Sequence, residues 1–78
     1  MNKIEFQKLF GEHIETLRNK QNLSFRQLAQ RCDLDYSDIS KIEKGERNIQ
    51  LSSVLQLAKG LAIHPKELFD FDVDFGKE

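Results

Sequence analysis

Tyr36, Ser37, Ser40 and Lys41 are the side chains in this sequence best suited to recognition chemistry. They fall at i, i+1, i+4 and i+5, so a helix would carry them on one side. Ile39 and Ile42, at i and i+3, would turn the other way. Two hydroxyls, a phenol and a cation form hydrogen bonds; nothing beside them equips them to break covalent bonds. Facing a duplex, hydroxyls can bond either kind of base edge. A lysine can meet the paired acceptors of guanine, a contact that discriminates by about 1–3 kcal/mol. Tyr36 could pack on a thymine methyl or bond a phosphate, and its residue type leaves both open.

These side chains need a scaffold. Residues 25–44, FRQLAQRCDLDYSDISKIEK, read as two short helices joined by a tight turn. Leu28, Ala29 and Cys32 share one face of the first, and Leu34 would plug the corner. Ser24 is placed to cap that helix over residues 25–31, and Gln27 completes a capping box. Asp33 sits at the corner, where a left-handed residue is expected and Asp is tolerated. Asp35 would cap the next helix, residues 36–44, and Gly45 stands where a left-handed C-cap belongs. Two helices so joined have the layout of a DNA-reading helix-turn-helix.

Three more helices are expected around this pair. Phe6, Leu9, Phe10, Ile14 and Leu17 recur at helical spacing and predict a helix over residues 4–20. Gly11 interrupts it, either for close approach of another helix or as a tolerated glycine that costs roughly 1 kcal/mol. Ser52 or Ser53 would cap a fourth helix with Val54, Leu55, Leu57, Ala58 and Leu61 as its stripe. Pro65 suits the first position of a fifth, carrying Leu68 and Phe69. The fold class is therefore all-α: a compact five-helix domain over residues 1–69. A tail, residues 70–78, follows. From Phe69 to Phe75 apolar and acidic residues alternate strictly, a strand signal with no partner in a helical domain. This segment could pair with its copy in a dimer, lie extended over the core, or remain a disordered acidic tail.

Composition sets the outer bounds. The chain has 78 residues, enough for one small core. No apolar run approaches the ~18 residues of a membrane span, and MNKIEFQKLF is too mixed for a signal peptide. One cysteine excludes an internal disulfide and fits a reducing cytoplasm. Cys32 is expected to be a packed thiol. His13 and His64 form no spaced ligand set with it, so no metal is expected. No phosphate loop and no catalytic set occur, so neither enzyme activity, cofactor nor small-molecule ligand is expected. Net charge is −1, but it is unevenly placed. Residues 1–66 hold eleven Lys/Arg against eight Asp/Glu, whereas residues 67–78 hold one Lys and five acids. A body at +3 would bind DNA weakly and lose it steeply with salt, unless two bodies act together.

Residues 11–69 resemble the phage-repressor type of helix-turn-helix, the xenobiotic-response-element family, with a lambda-repressor-like fold. The resemblance is carried by Leu17-Arg18, Leu23-Ser24, Leu28-Ala29, Ile39-Ser40, Ile42-Glu43-Lys44-Gly45, Arg47-Asn48, Leu57-Ala58 and Leu61. The small size and the segment EKGERN are also similar to the controller proteins of restriction–modification systems. The resemblance implies a homodimeric transcription regulator, most often a repressor, on an inverted-repeat operator in double-stranded DNA. It places Tyr36, Ser37, Ser40 and Lys41 at base-contacting positions. Lys44, Arg47 and Asn48 match positions that contact the DNA backbone, and Arg26 is a further candidate for that role. Arg18 and Glu43 match a salt bridge tying the first helix to the third. Phe25 stands where members often have Gln, and Asp33 where they often have Gly. A different reading of the same fold is an antitoxin or other protein-interaction module whose acidic-aromatic tail covers a partner.

Overall fold

A computed structural model describes residues 1–76. Four α-helices and one short 3-10 helix form it: α1 Lys3–Lys20, α2 Phe25–Ala29, α3 Tyr36–Glu43, α4 Leu51–Leu61 and the 3-10 helix Pro65–Phe69. The fifth helix expected from sequence is thus a single 3-10 segment. Pro65 begins it, and His64 caps it by accepting the Lys66 N–H at Nδ1, 3.1 Å away. Its backbone closes through i→i+3 bonds, Glu67 N to His64 O and Asp70 N to Glu67 O, the 3-10 pattern common in short connecting turns.

Local chemistry explains where most helices start and stop. Asn2 caps α1 by accepting from Glu5 N at 2.8 Å. Ser24 accepts from Gln27 N at 3.1 Å while the Gln27 side chain accepts from Ser24 N at 2.8 Å, a complete capping box. Asp35 occupies the N-cap position of α3 but its side chain makes no capping bond. Three helices end by the same device, a left-handed residue followed by a backbone bond closing the last turn. Asn22 (φ 57°), Gly45 (φ 75°) and Ala62 (φ 57°) supply the left-handed residues. The closing bonds run from Leu23 N to Arg18 O, Glu46 N to Lys41 O, and Ile63 N to Ala58 O.

Several boundaries differ from the sequence expectation. Helix α2 stops at Ala29, short of Arg31, and Arg31 N and Cys32 N bond back to Leu28 O and Ala29 O. The chain therefore leaves α2 through successive tight turns, and Asp33 needs no left-handed conformation. Gln56 of α4 accepts the Asp33 N–H at 2.8 Å and fixes the corner from outside. The N-cap of α4 is Gln50, not Ser52 or Ser53; Ser53 N and Val54 N already bond to Gln50 O. That register buries Val54, Leu57, Ala58 and Leu61 and turns Leu55 outward.

Every helix contributes to one core. Phe10 and Ile14 of α1 meet Leu28 of α2, Ile39 and Ile42 of α3, the α4 stripe, and Leu68 of the 3-10 helix. Phe69 stacks on Phe10 with ring centres 5.1 Å apart. Phe71 then packs on Phe6 and His13, at 5.8 and 5.6 Å. Phe71 and Val73 are half-buried, and Asp70, Asp72 and Asp74 face solvent. Period-two facing is thus kept over residues 70–74 without strand pairing, but Phe75 is 67% exposed and departs from it; positions 77 and 78 lie outside the described residues.

Gly11 sits where α1 crosses α3. A Cβ there would lie 2.5 Å from the Glu43 carbonyl oxygen and closer still to that of Ile42. Both obstacles are backbone, so the helices would have to separate. Gly11→Ala should destabilise the fold by about 1–3 kcal/mol or more, read as a lower urea midpoint at unchanged slope. An unshifted midpoint would show that α1 and α3 are not held at this distance.

Candidate nucleic-acid interface

Helix α3 has eight residues, too few to persist alone, so its placement depends on what grips it. The grip is concentrated at its C-terminal end. Arg18 of α1 donates from Nε to Glu43 Oε2 at 2.7 Å and from Nη2 to Oε1 at 3.0 Å. Its remaining nitrogen, Nη1, donates to Leu23 O at 2.6 Å. The Phe25 ring covers the guanidinium, 4.2 Å from Cζ. Side-chain exposure falls to 10% for Arg18 and 3% for Glu43. The hydrogen bond to Glu43 holds Arg18 above its ordinary pKa. Burial pushes the Glu43 carboxyl upward against the pull of Arg18. Beyond this pair, Gln7 Nε2 donates to Gly45 O at 3.1 Å, fixing the turn that follows α3.

With Ile39, Ile42 and Glu43 buried, helical geometry fixes where the rest must point. Ser37, Lys41 and Lys44 lie on the side opposite the core and are exposed. Tyr36 and Ser40 form the edge nearer α2; Tyr36 is 47% exposed and Ser40 half-buried. Asp38 forms the other edge. Each edge is occupied by an arginine. Arg26 of α2 lies over the Tyr36 ring, Cζ 4.4 Å from its centre. Arg47, in the loop after α3, places Nη2 3.0 Å from Asp38 Oδ1. Asn48 is exposed beside it. The predicted base-contacting set and Lys44 therefore share one surface, with Arg26 and Arg47 on its two sides.

Three contributors carried weak sequence signals. Phe25 works as a cover for Arg18, a role visible only once α1 and α2 are packed together. Asp38 is a partner of Arg47 nine positions away. Gln56 reaches the corner from another helix. Cys32 is half-buried, its Sγ donating to Leu28 O at 3.5 Å, and burial raises its pKa. Between α1, α4 and the 3-10 helix a groove is lined by the apolar Phe6, Phe10, Ile49, Leu51, Val54 and Phe69 and, at its polar rim, by Gln7, Arg47 and Asn48. Leu51 at this groove is 85% exposed, and Leu55, elsewhere on α4, is 60% exposed.

The ion pair yields a direct test. Arg18→Met leaves a buried, unpaired Glu43 and should cost about 3–5 kcal/mol. Adding Glu43→Leu should recover most of that loss, because apolar replacement of both partners removes the desolvation penalty with them. Denaturant unfolding of the three proteins measures both steps. A double variant as weak as the single one would contradict this account.

Comparison with known proteins agrees with this geometry. The helix-turn-helix family profile matches residues 14–68. Control protein C.BamHI of Bacillus amyloliquefaciens is 42% identical over 64 residues, covering 81% of this chain and 79% of its own. Control protein C.MunI of Mycoplasma sp is 39% identical over 70 residues, 88% of this chain and 92% of its own. The crystal structure of the restriction–modification controller protein C.AhdI from Aeromonas hydrophila superposes with a TM-score of 0.81 at 38% identity, covering 83% of this chain and 98% of that one. The controller protein C.Esp1396I, solved as a tetramer with its natural 35 base-pair operator, matches at a TM-score of 0.76 and 26% identity, over 82% of this chain and 84% of that one. No helix among the described residues is long and apolar enough to cross a membrane. By profile, by sequence and by fold, this chain belongs to the helix-turn-helix family of DNA-binding regulators, alongside the control proteins of restriction–modification systems, and not to a family of enzymes.

Proposed function

We propose that this protein is a cytoplasmic, sequence-specific transcription regulator that represses by binding an inverted-repeat operator as a homodimer. The observation that carries the reading is the outward side of α3. Ser37, Lys41 and Lys44 project from a short helix whose opposite side is locked to the core. Inserted in the major groove, Tyr36, Ser37, Ser40 and Lys41 read base edges. Lys44, Asn48 and the flanking Arg26 meet phosphates, which fix orientation without reading sequence, and Arg47 is a further phosphate ligand. The tail over residues 70–78 is then an appendage of the DNA-binding domain rather than part of its reading surface.

Dimerisation supplies what one body lacks. A +3 body is a modest anchor on a polyanion, and two bodies together double it. Leu51, Leu55 and the adjoining apolar groove offer the surface for a second copy. Two copies of α3 would then meet successive major grooves about 34 Å apart. The operator-bound tetramer of C.Esp1396I supports an assembly of this kind.

Selection from a random duplex pool at a stated salt concentration should return a symmetric site. Lys41→Ala should weaken that site and relax its sequence preference, whereas Lys44→Ala should weaken all sequences alike and lower the salt slope by about 1. Equal effects from both would refute the division of roles. Leu55→Glu should shift sedimentation toward the monomer and lose the two-fold site. If it sediments as the parent does, the α4 surface is not the dimer contact.

A further inference from the structure

Arg47 is the flanking arginine with a choice of partners. Its guanidinium meets Asp38 through one contact, Nη2 to Oδ1 at 3.0 Å, and the two side chains remain 45% and 38% exposed. Its backbone is well placed, because the left-handed Gly45, held by Gln7, fixes how the loop leaves α3. Its side chain is held only by Asp38 among the contacts described. A monodentate, half-exposed pair is weak. A phosphate offers the guanidinium two oxygens in the geometry of its own fork. The exchange has a consequence for Asp38, however. Released from Arg47, its carboxylate stands on the edge of α3, one position after Ser37, beside a polyanion and without a counter-charge. That state costs least where the duplex supplies a hydrogen-bond donor to the carboxylate. In the major groove the amino group of cytosine is such a donor, and aspartate can accept from it.

We infer that Asp38 is a specificity-determining residue, acting as one half of an exchange pair with Arg47. On non-specific DNA the two stay joined and Arg47 contributes no phosphate contact. On the operator Arg47 moves to a phosphate while Asp38 accepts from a cytosine amino group. The carboxylate thus makes one of the protein's phosphate anchors conditional on sequence. The inference rests on the DNA-reading proposal above and assigns to Asp38 a role that a passive surface acid would not have.

Four variants test it: Asp38→Asn, Arg47→Ala and their double on the selected operator and on a random duplex across a salt series, and Asp38→Ala in pool selection. Circular dichroism first checks that each is folded. With Arg47 present, Asp38→Asn should tighten non-specific binding two- to five-fold and steepen its dependence of log K on log salt by about 0.9, the signature of one added phosphate. With Arg47 replaced by Ala, the same change should leave that slope nearly unaltered. In pool selection, Asp38→Ala should lose a cytosine preference at one position of each half-site. Equal slope changes in the two backgrounds would show that Asp38 acts only through its own charge, and would overturn the exchange. An unaltered base preference at every position would overturn the cytosine contact. If the wild type itself selects no sequence, the regulator reading fails instead, so the two failures are distinguishable.

Discussion

The buried pair of Arg18 and Glu43 is the constraint on which the outward face of α3 depends. Helix α3 is eight residues long and shows only Ile39 and Ile42 as apolar anchors in the core. Such a helix has no fixed position of its own. The bidentate contact from α1 sets its rotation, and the Leu23 carbonyl and the Phe25 ring set the position of Arg18 in turn. Taking both charges out of water is expensive, and the contact repays that only because the guanidinium is bonded on all its nitrogens. Gly11 belongs to the same arrangement. It lets the α1 and α3 backbones approach until the Arg18 fork can reach Glu43 without stretching.

Structure governed by neighbouring residues was legible in the sequence. Ser24 with Gln27 and Gly45 after α3 act through bonds spanning three to five positions, so their residue types announce them. The periodic apolar positions of α1, α3 and α4 likewise marked most of the core. What escaped notice depends on contacts between distant segments. Gln56 accepts the Asp33 N–H from 23 positions away and fixes a corner that successive tight turns form without a left-handed residue. Leu55 fits the stripe of α4 on paper, yet the helix begins at Leu51 and that register turns Leu55 to solvent. Ala62 adopts a left-handed conformation that its residue type does not declare, whereas Asn22 is of a type that takes it readily at a helix end.

The candidate surface shows the same divide. That Tyr36, Ser37, Ser40 and Lys41 share a side of one helix followed from spacing. The link between Arg18 and Glu43 came from likeness to a family, since 25 positions separate them and no local pattern connects them. The engagement of Arg26 with Tyr36 and of Arg47 with Asp38 was not legible at all. The sequence offers both arginines as candidate backbone contacts, and in the structure each already engages a side chain of α3. Phe25, a departure from the family pattern, proves to shield a buried charge.

Helix α1 carries α3 on one side, through Gly11 and Arg18, and the Phe71 segment on the roughly opposite side, through Phe6 and His13. Asp70, Asp72 and Asp74 are thereby stationed on the far side of α1 from α3. Were α3 to enter a groove as proposed, the thickness of α1 would stand between these carboxylates and the phosphates, and their like-charge repulsion would be weakest where contact is made.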